Sequence, residues 1–189
     1  MQATGSHRGI ASLLRRSRQN GATALEFGLT FPVFFMVFWA ILHFGLVFTA
    51  RLTLQHAAEE GAREALRSGP AVAEEEIACG GIDPDYTMSL SLSERLSRAR
   101  NASCLQANWL AVFATPTVDA VICSGGEDDC LSNPPTAEPD CVADGCQIAI
   151  RVSYPYDQSP IIPALPGFGL IAPQTVSGTA RTALDDRVM

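Results

Sequence analysis

The stretch GATALEFGLTFPVFFMVFWAILHFGLVFTA, residues 21–50, decides how this chain is built. The 24 residues from Phe27 to Ala50 include no Asp, Glu, Lys or Arg. As an α-helix this run is about 36 Å long, which is enough to cross a hydrocarbon core of roughly 30 Å with some tilt. We therefore predict a single transmembrane helix over residues 22–50.

Charge is distributed unevenly on the two sides of this run. Residues 1–21 carry four Arg and no acid, whereas the chain from Arg51 onward has 9 Arg and 19 Asp or Glu. Because Arg next to a span favours the cytoplasmic side, we expect a basic cytoplasmic leader over 1–21 and an acidic C-terminal part outside the cytoplasm. The acidic balance also argues against nucleic-acid binding, which needs a basic surface.

The helical pattern continues beyond the charge-free run and predicts an extension over residues 51–69. Apolar and small residues recur there at steps of three and four, which makes one face suited to packing: Leu54, Ala57, Ala58, Gly61, Ala62, Ala65 and Leu66. On the opposite face we expect two ion pairs, Glu59 with Arg63 and Glu64 with Arg67.

Pro32 is the one residue in the span that conflicts with a regular helix. It has no N–H to donate, and its ring clashes with the carbonyl of Gly28, which is four residues earlier. We predict a mild kink in the helix at Pro32.

Residues 70–189 are expected to form one extracytoplasmic α+β domain. A helix is predicted near 91–113, where Ser91 and Glu94 have the spacing of a capping box. Antiparallel strands are predicted in three later segments: DAVICSGG (119–126), QIAIRVSYPYD (147–157) and QTVSGTARTAL (174–184). A long helix followed by a small sheet is an α+β arrangement.

All six cysteines follow the predicted span: Cys79, Cys104, Cys123, Cys130, Cys141 and Cys146. An even number beyond a membrane anchor is typical of an oxidising compartment and predicts up to three disulfides. Zinc binding is disfavoured because no C-x2-C pair occurs. We favour a Cys79–Cys104 bond and short closures among the other four, which would stiffen a loop rich in Pro and Asp.

Other chemistry has little support in the sequence. Acidic residues that could supply oxygen ligands to calcium gather in one loop, at Glu127, Asp128, Asp129, Asp140 and Asp144, but a solvated acidic loop is the simpler interpretation. None of the three histidines (His7, His43 and His56) lies in residues 70–189, and no nucleophile or phosphate-binding motif is present. We expect no catalytic residues, no cofactor and no enzymatic activity.

Glu26 lies where the span begins, and a carboxylate left unpaired in lipid costs a few kcal/mol. The Glu26 carboxylate either remains solvated at the membrane interface, where it stabilises the helix N-terminus, or it pairs with another group.

A basic leader, Gly21, Glu26 at the fifth place after it and an apolar helix together resemble a type IV prepilin signal. More narrowly, the sequence resembles the TadE/TadF family of pilin-like proteins of the tight-adherence (Flp pilus) system, through these letters: Gly21, Ala22, Ala24, Glu26, Phe27, Pro32, Phe44-Gly45, Ala57-Ala58 and Gly61-Ala62-Arg63. The segments RVSYPYD, PALPGFGL and VSGTARTAL are also similar to that family, more loosely.

The resemblance implies a bacterial inner-membrane subunit that a prepilin peptidase cuts between Gly21 and Ala22. It further implies that Glu26 acts in subunit assembly, and that the partners are the membrane, other pilin-like subunits including the major Flp pilin, and inner-membrane platform proteins. Two residues depart from the pattern. Ala22 is found where pilins usually have Phe, and His43 is found where relatives often have an acidic residue. The alternative is a single-span receptor or binding module unrelated to any fibre.

Overall fold

The computed structural model describes residues 9–67, 79–81, 89–126, 130–137, 139, 141, 145–163 and 173–184. Within these residues the architecture is α+β, with two α-helices, a short 3-10 helix and three strands. The chain divides into two compact units, Met1–Gly45 and Leu46–Met189, and α1 contributes residues to both.

Helix α1, Gly9–Ala65, is 57 residues long and contains both the charge-free run and its extension. It begins earlier than expected, because the second half of the leader is also helical; Ala, Leu and Arg in that segment are good helix formers. It ends at Ala65, followed by a turn at Leu66, a few residues before the predicted end at position 69. Pro32 lies inside α1, and the kink remains a prediction.

The described part of the first unit is the N-terminal portion of α1. From residue 25 its large apolar side chains are mostly exposed, for example Leu25 at 76% and Phe34 at 68%. A helix that is apolar all round and exposed is not the core helix of a soluble protein, whose side chains would be buried. One helix of this chain is therefore long and apolar enough to span a membrane, in agreement with the prediction.

The second unit contains a three-stranded antiparallel sheet in the order β1-β2-β3, formed by Thr117–Ser124, Cys146–Tyr154 and Val176–Leu184. All three strands were expected, and the alternation in β2 places Ile148, Ile150, Val152 and Tyr154 in one core with α1 and α2. Ala149 points to the other face, where it packs in a second small cluster with Val121, Cys123 and Cys130. The central strand is therefore buried along one face and at Ala149 on the other, where Gln147, Arg151 and Ser153 are half-buried.

Helix α2, Leu90–Ala107, is followed without a break by a 3-10 helix, Asn108–Val112. The sequence predicted one helix over 91–113, so the change of helix type was missed. The predicted capping box was wrong, because Ser89 occupies the N-cap position and Ser91 lies in the first turn. Arg95 and Ser103 on the buried side of α2 are among the few buried polar residues of this unit.

Helix α1 packs on the second unit through its small residues. Six of the seven predicted positions are buried, and Leu66 is the exception at 46% exposed. A side chain on Gly61 would collide with Ser103 Oγ and the carbonyl of Ala99, and one on Gly178 with the backbone of Leu54 and Gln55. Glycine at these two positions is thus what allows α1 to approach α2 and β3 so closely.

The ion pairs on the exposed side of α1 agree only in part with expectation. Arg67 pairs with Glu64 at 2.8 Å as predicted, but Arg63 pairs with Glu60 at 3.6 Å and not with Glu59. Glu59 instead accepts a hydrogen bond of 3.1 Å from Gln55 Nε2. The same Gln55 side chain also hydrogen-bonds to the backbone of Thr179 on β3, donating to its carbonyl at 3.0 Å and accepting from its N–H at 3.1 Å.

Three disulfides join Cys79 to Cys104, Cys123 to Cys130 and Cys141 to Cys146, in agreement with the pairing that we favoured. The first holds a short segment against β1, where Gly80 forms an isolated parallel bridge with Thr117. The other two close short loops near the ends of β1 and β2, where the sequence supplies few apolar residues for a core.

Two buried tyrosines follow each other at the end of β2. The Tyr154 hydroxyl donates a hydrogen bond of 2.6 Å to the carbonyl of Ser159, and the two rings meet edge to face. Burial raises the pKa of both Tyr154 and Tyr156 above the ordinary value of 10.0, and for Tyr154 the neighbouring charge of an ionised Tyr156 adds to the effect.

Candidate assembly segment of the membrane helix

The predicted site residues Gly21, Ala22, Glu26 and Pro32 all lie within α1, so the structure places them on one continuous helix. The Gly21–Ala22 bond falls inside that helix and not in a loop. A glycine in a helix interior costs about 1 kcal/mol relative to alanine, so the helix is locally weak at this bond.

Glu26 is exposed on α1 one turn beyond Ala22. The Thr30 hydroxyl donates a hydrogen bond of 2.9 Å to the Glu26 backbone carbonyl, so this contact does not engage the carboxylate. Among the residues from Thr23 onward whose side chains the structure describes, no cation lies within salt-bridge distance of the Glu26 side chain. A carboxylate in this position is available to a group outside its own helix.

A row of aromatic rings begins immediately after Glu26. Phe27, Phe31, Phe35 and Trp39 stack in sequence with centroid separations of 5.3, 6.0 and 6.0 Å. These residues recur at every fourth position and so cover one side of the helix. The periodicity could have been found in the sequence, where we treated the phenylalanines only as apolar residues of the span.

Elsewhere, the charged residues of an open groove between α1 and α2 already have partners within the protein. Arg67 pairs with Glu64, and Arg98 Nη1 donates a hydrogen bond of 2.6 Å to the Arg67 carbonyl. Within the described ranges, no group of three or more His, Cys, Asp or Glu is arranged to hold a metal ion. The calcium candidates Asp128, Asp129, Asp140 and Asp144 lie outside the described residues.

The fold and this segment together define a single-span membrane protein whose C-terminal part is a disulfide-bonded α+β unit. The family model of the TadE-like proteins matches residues 21–63, which confirms the resemblance over this segment. The match covers the assembly segment, the span and most of the helix extension. A comparison with curated proteins and with solved structures finds no match.

Proposed function

We propose that this chain is a TadE-like minor pilin or pseudopilin that acts in assembly of a tight-adherence (Flp) pilus or a related secretion apparatus. The observation that carries the proposal is the TadE-like match over 21–63, which includes Gly21, the exposed carboxylate of Glu26 and the charge-free span. Its role is structural and not enzymatic. The partners are other pilin-like subunits, among them the major Flp pilin, and the platform proteins of the inner membrane.

The proposed mechanism starts with cleavage of the Gly21–Ala22 bond by a prepilin peptidase at the cytoplasmic face. Cleavage removes four Arg and no acid, so the net charge changes from −7 to −11. It also creates an α-ammonium group on Ala22. An ammonium–carboxylate pair is much less costly in lipid than either charge alone, so this group pairs with Glu26 of a neighbouring subunit and sets the stagger between helices.

The proposed orientation places the N-terminus in the cytoplasm and the α+β unit in the periplasm or outside the cell. The four Arg before the span favour a cytoplasmic leader. The three disulfides favour an oxidising compartment for the C-terminal unit, since thiols stay reduced in the cytosol.

The test is to produce the full chain with a functional prepilin peptidase and to measure its intact mass and its assembly. We expect a mature chain that begins at Ala22. We also expect Glu26→Gln to be cleaved but to fail in assembly, because the neutral amide cannot pair with the ammonium group. The matched control is Glu60→Gln, which removes an acid from the same helix outside the span and is expected to assemble.

Two results would contradict the proposal. An intact Met1 in the presence of active peptidase would select the receptor or binding-module alternative. Normal assembly of Glu26→Gln would remove the role of the carboxylate even if cleavage occurs.

A further inference from the structure

Three exposed apolar residues of the second unit gather at the 3-10 helix after α2. Trp109 is 40% exposed, Val112 is 83% exposed and Phe113 is 46% exposed, while Leu110 between them is buried. Isolated exposed apolar residues are common, but three within five positions form a patch that needs a partner. We name Trp109, Val112 and Phe113 the proximal patch.

The position of the proximal patch follows from the direction of α2. Arg95 Nη1 donates a hydrogen bond of 3.0 Å to the carbonyl of Ala65, and Ser103, eight residues later, faces Gly61. As α2 proceeds, its contacts therefore move back along α1, and the two helices are antiparallel. Among the described residues, Ser103 Oγ has no hydrogen-bond partner, which is consistent with tight packing against Gly61.

The next contact places the proximal patch at the beginning of the second unit. Gln106 lines a groove together with Thr53 and His56 of α1. The patch lies three to seven residues beyond Gln106, so at 1.5 to 2 Å per residue it is about level with Ala50. Ala50 is the last residue of the charge-free run, and the exposed Phe48 lies one turn or less from it.

The contacts of β3 give the direction of the sheet relative to α1 in the same way. Gly178 of β3 lies on Leu54, whereas Ala180 and Thr182 line a groove with Ala62 and Leu66, so β3 runs away from Ala50. The end of the sheet that is far from Ala50 is then the end at which Cys146 pairs with Ser124 on one side and with Leu184 on the other.

The segment that contains the proximal patch is free of charge. The described residues 101–118, which contain the proximal patch, include no Asp, Glu, Lys or Arg, and neither do the described residues 158–163 and 173–180. The exposed Asp157, whose N–H donates to the carbonyl of Gln174 before β3, lies at the same end of the sheet, so it is the proximal patch and not the whole end of the unit that is free of charge.

We propose that the proximal patch lies in the headgroup region of the phospholipid bilayer that α1 crosses. The bilayer surface is the partner already present at this level, because the charge-free run ends at Ala50 and Arg51 follows. Tryptophan and phenylalanine at this depth bury apolar area, and the indole N–H can still reach a polar group. The contact holds the α+β unit against the membrane surface. It requires the span but not a role in a pilus.

The experiment uses the full chain reconstituted in phosphatidylcholine–phosphatidylglycerol vesicles. The chain has two tryptophans, so Trp39→Phe leaves Trp109 as the only one. We expect lipids brominated on the acyl carbons nearest the headgroup to quench the larger part of Trp109 emission, and aqueous acrylamide to quench little of it. A second probe, Val112→Trp in a chain that also carries Trp39→Phe and Trp109→Phe, places the indole at the most exposed position of the patch and is expected to behave in the same way.

The matched control is Leu66→Trp in a chain that carries Trp39→Phe and Trp109→Phe. Leu66 is an exposed apolar residue of the same unit, but it lies 16 residues from Ala50, or roughly 24 Å along the helix. We expect acrylamide and not brominated lipid to quench it. Acrylamide quenching of both patch probes, equal to that of the control, would overturn the proposal. So would lipid-insensitive emission that shifts with the protein-to-lipid ratio, which would indicate a second copy of the chain as the partner.

Discussion

Two stretches of α1 differ in which side chains are buried: large apolar residues are mostly exposed in the first, and small residues are buried in the second. Between Phe27 and Phe48 the large apolar residues of α1 are mostly exposed, whereas between Ala50 and Ala65 the small ones are fully or almost fully buried. The surroundings explain the difference. Lipid accepts large apolar side chains without any protein partner, while packing against α2 and β3 requires a close approach that Ala and Gly allow, with Leu54 buried in the same core.

The largest effect expected from this comparison is that of truncating Leu54. Leu54 is fully buried, so Leu54→Ala should lower the free energy of unfolding of the α+β unit by about 2–5 kcal/mol through lost burial and the cavity left behind. Phe34→Ala removes a larger side chain that is 68% exposed in the span, and it should leave the unfolding of that unit unchanged. Urea unfolding of the full chain in micelles, followed by near-ultraviolet circular dichroism, measures both. Equal losses would refute the comparison.

Adding one methyl group gives a second, smaller contrast. Gly61→Ala places a Cβ against Ser103 Oγ and the Ala99 carbonyl and should cost about 1–3 kcal/mol through overpacking. Gly28→Ala has open space around it and should stabilise the helix, since alanine is the better helix former. The midpoint of thermal unfolding of the α+β unit should therefore decrease for Gly61→Ala and not decrease for Gly28→Ala, and an equal decrease in both would show that close packing does not set the choice of glycine.

Gln55→Ala tests how strongly the extension is fastened to the sheet. It removes both hydrogen bonds to the Thr179 backbone, and we expect a loss of about 1 kcal/mol. His56→Ala, at the next and exposed position, is the control and should have little effect on urea unfolding. A Gln55→Ala midpoint equal to that of the control would mean that the contact contributes nothing.

The smallest expected effect is a dependence of stability on alkaline pH that is confined to the C-terminal unit. The folded state holds the pKa of Tyr154 and Tyr156 above 10.0, so both stay protonated when the unfolded chain begins to lose its phenolic protons. Stability is therefore complete below pH 10 and decreases as the pH rises above it. Tyr154→Phe should make this decrease shallower in urea titrations between pH 9 and 11, about one unit on each side of the ordinary tyrosine pKa. A slope that is unchanged in the variant would exclude Tyr154 as its source.

Much of this architecture could be predicted, because it depends on local patterns. The absence of charge predicts the span, alternation in β2 predicts its buried face, and the spacing of the cysteines favours the Cys79–Cys104 bond and short closures among the other four, which agree with the disulfides found. The resemblance that starts from the Gly21–Glu26 spacing agrees with the family match over 21–63, while the roles of these residues in cleavage and assembly stay predictions.

What could not be predicted depends on contacts between distant parts of the chain. The hydrogen bonds of Gln55 join residues 124 positions apart, and Gln55 also engages Glu59, which leaves Arg63 to pair with Glu60. The close approach of Gly178 to α1 has no local signature either. The change from α2 to a 3-10 helix is likewise not marked in the sequence, where Ala107 and Leu110 continue the apolar spacing.

The contacts of Gly80 and Gln55 have a consequence for copies of this protein confined to one membrane. Cys79–Cys104 holds Gly80 on the outer side of β1, where the Val118 N–H donates to the Gly80 carbonyl at 2.7 Å, and Gln55 occupies the backbone groups of Thr179 on the outer side of β3. Uncovered edge strands would let crowded molecules pair their sheets through backbone hydrogen bonds and aggregate. Because both edge strands are partly covered in this way, edge-to-edge pairing of sheets is hindered. Ordered association between copies then depends on α1.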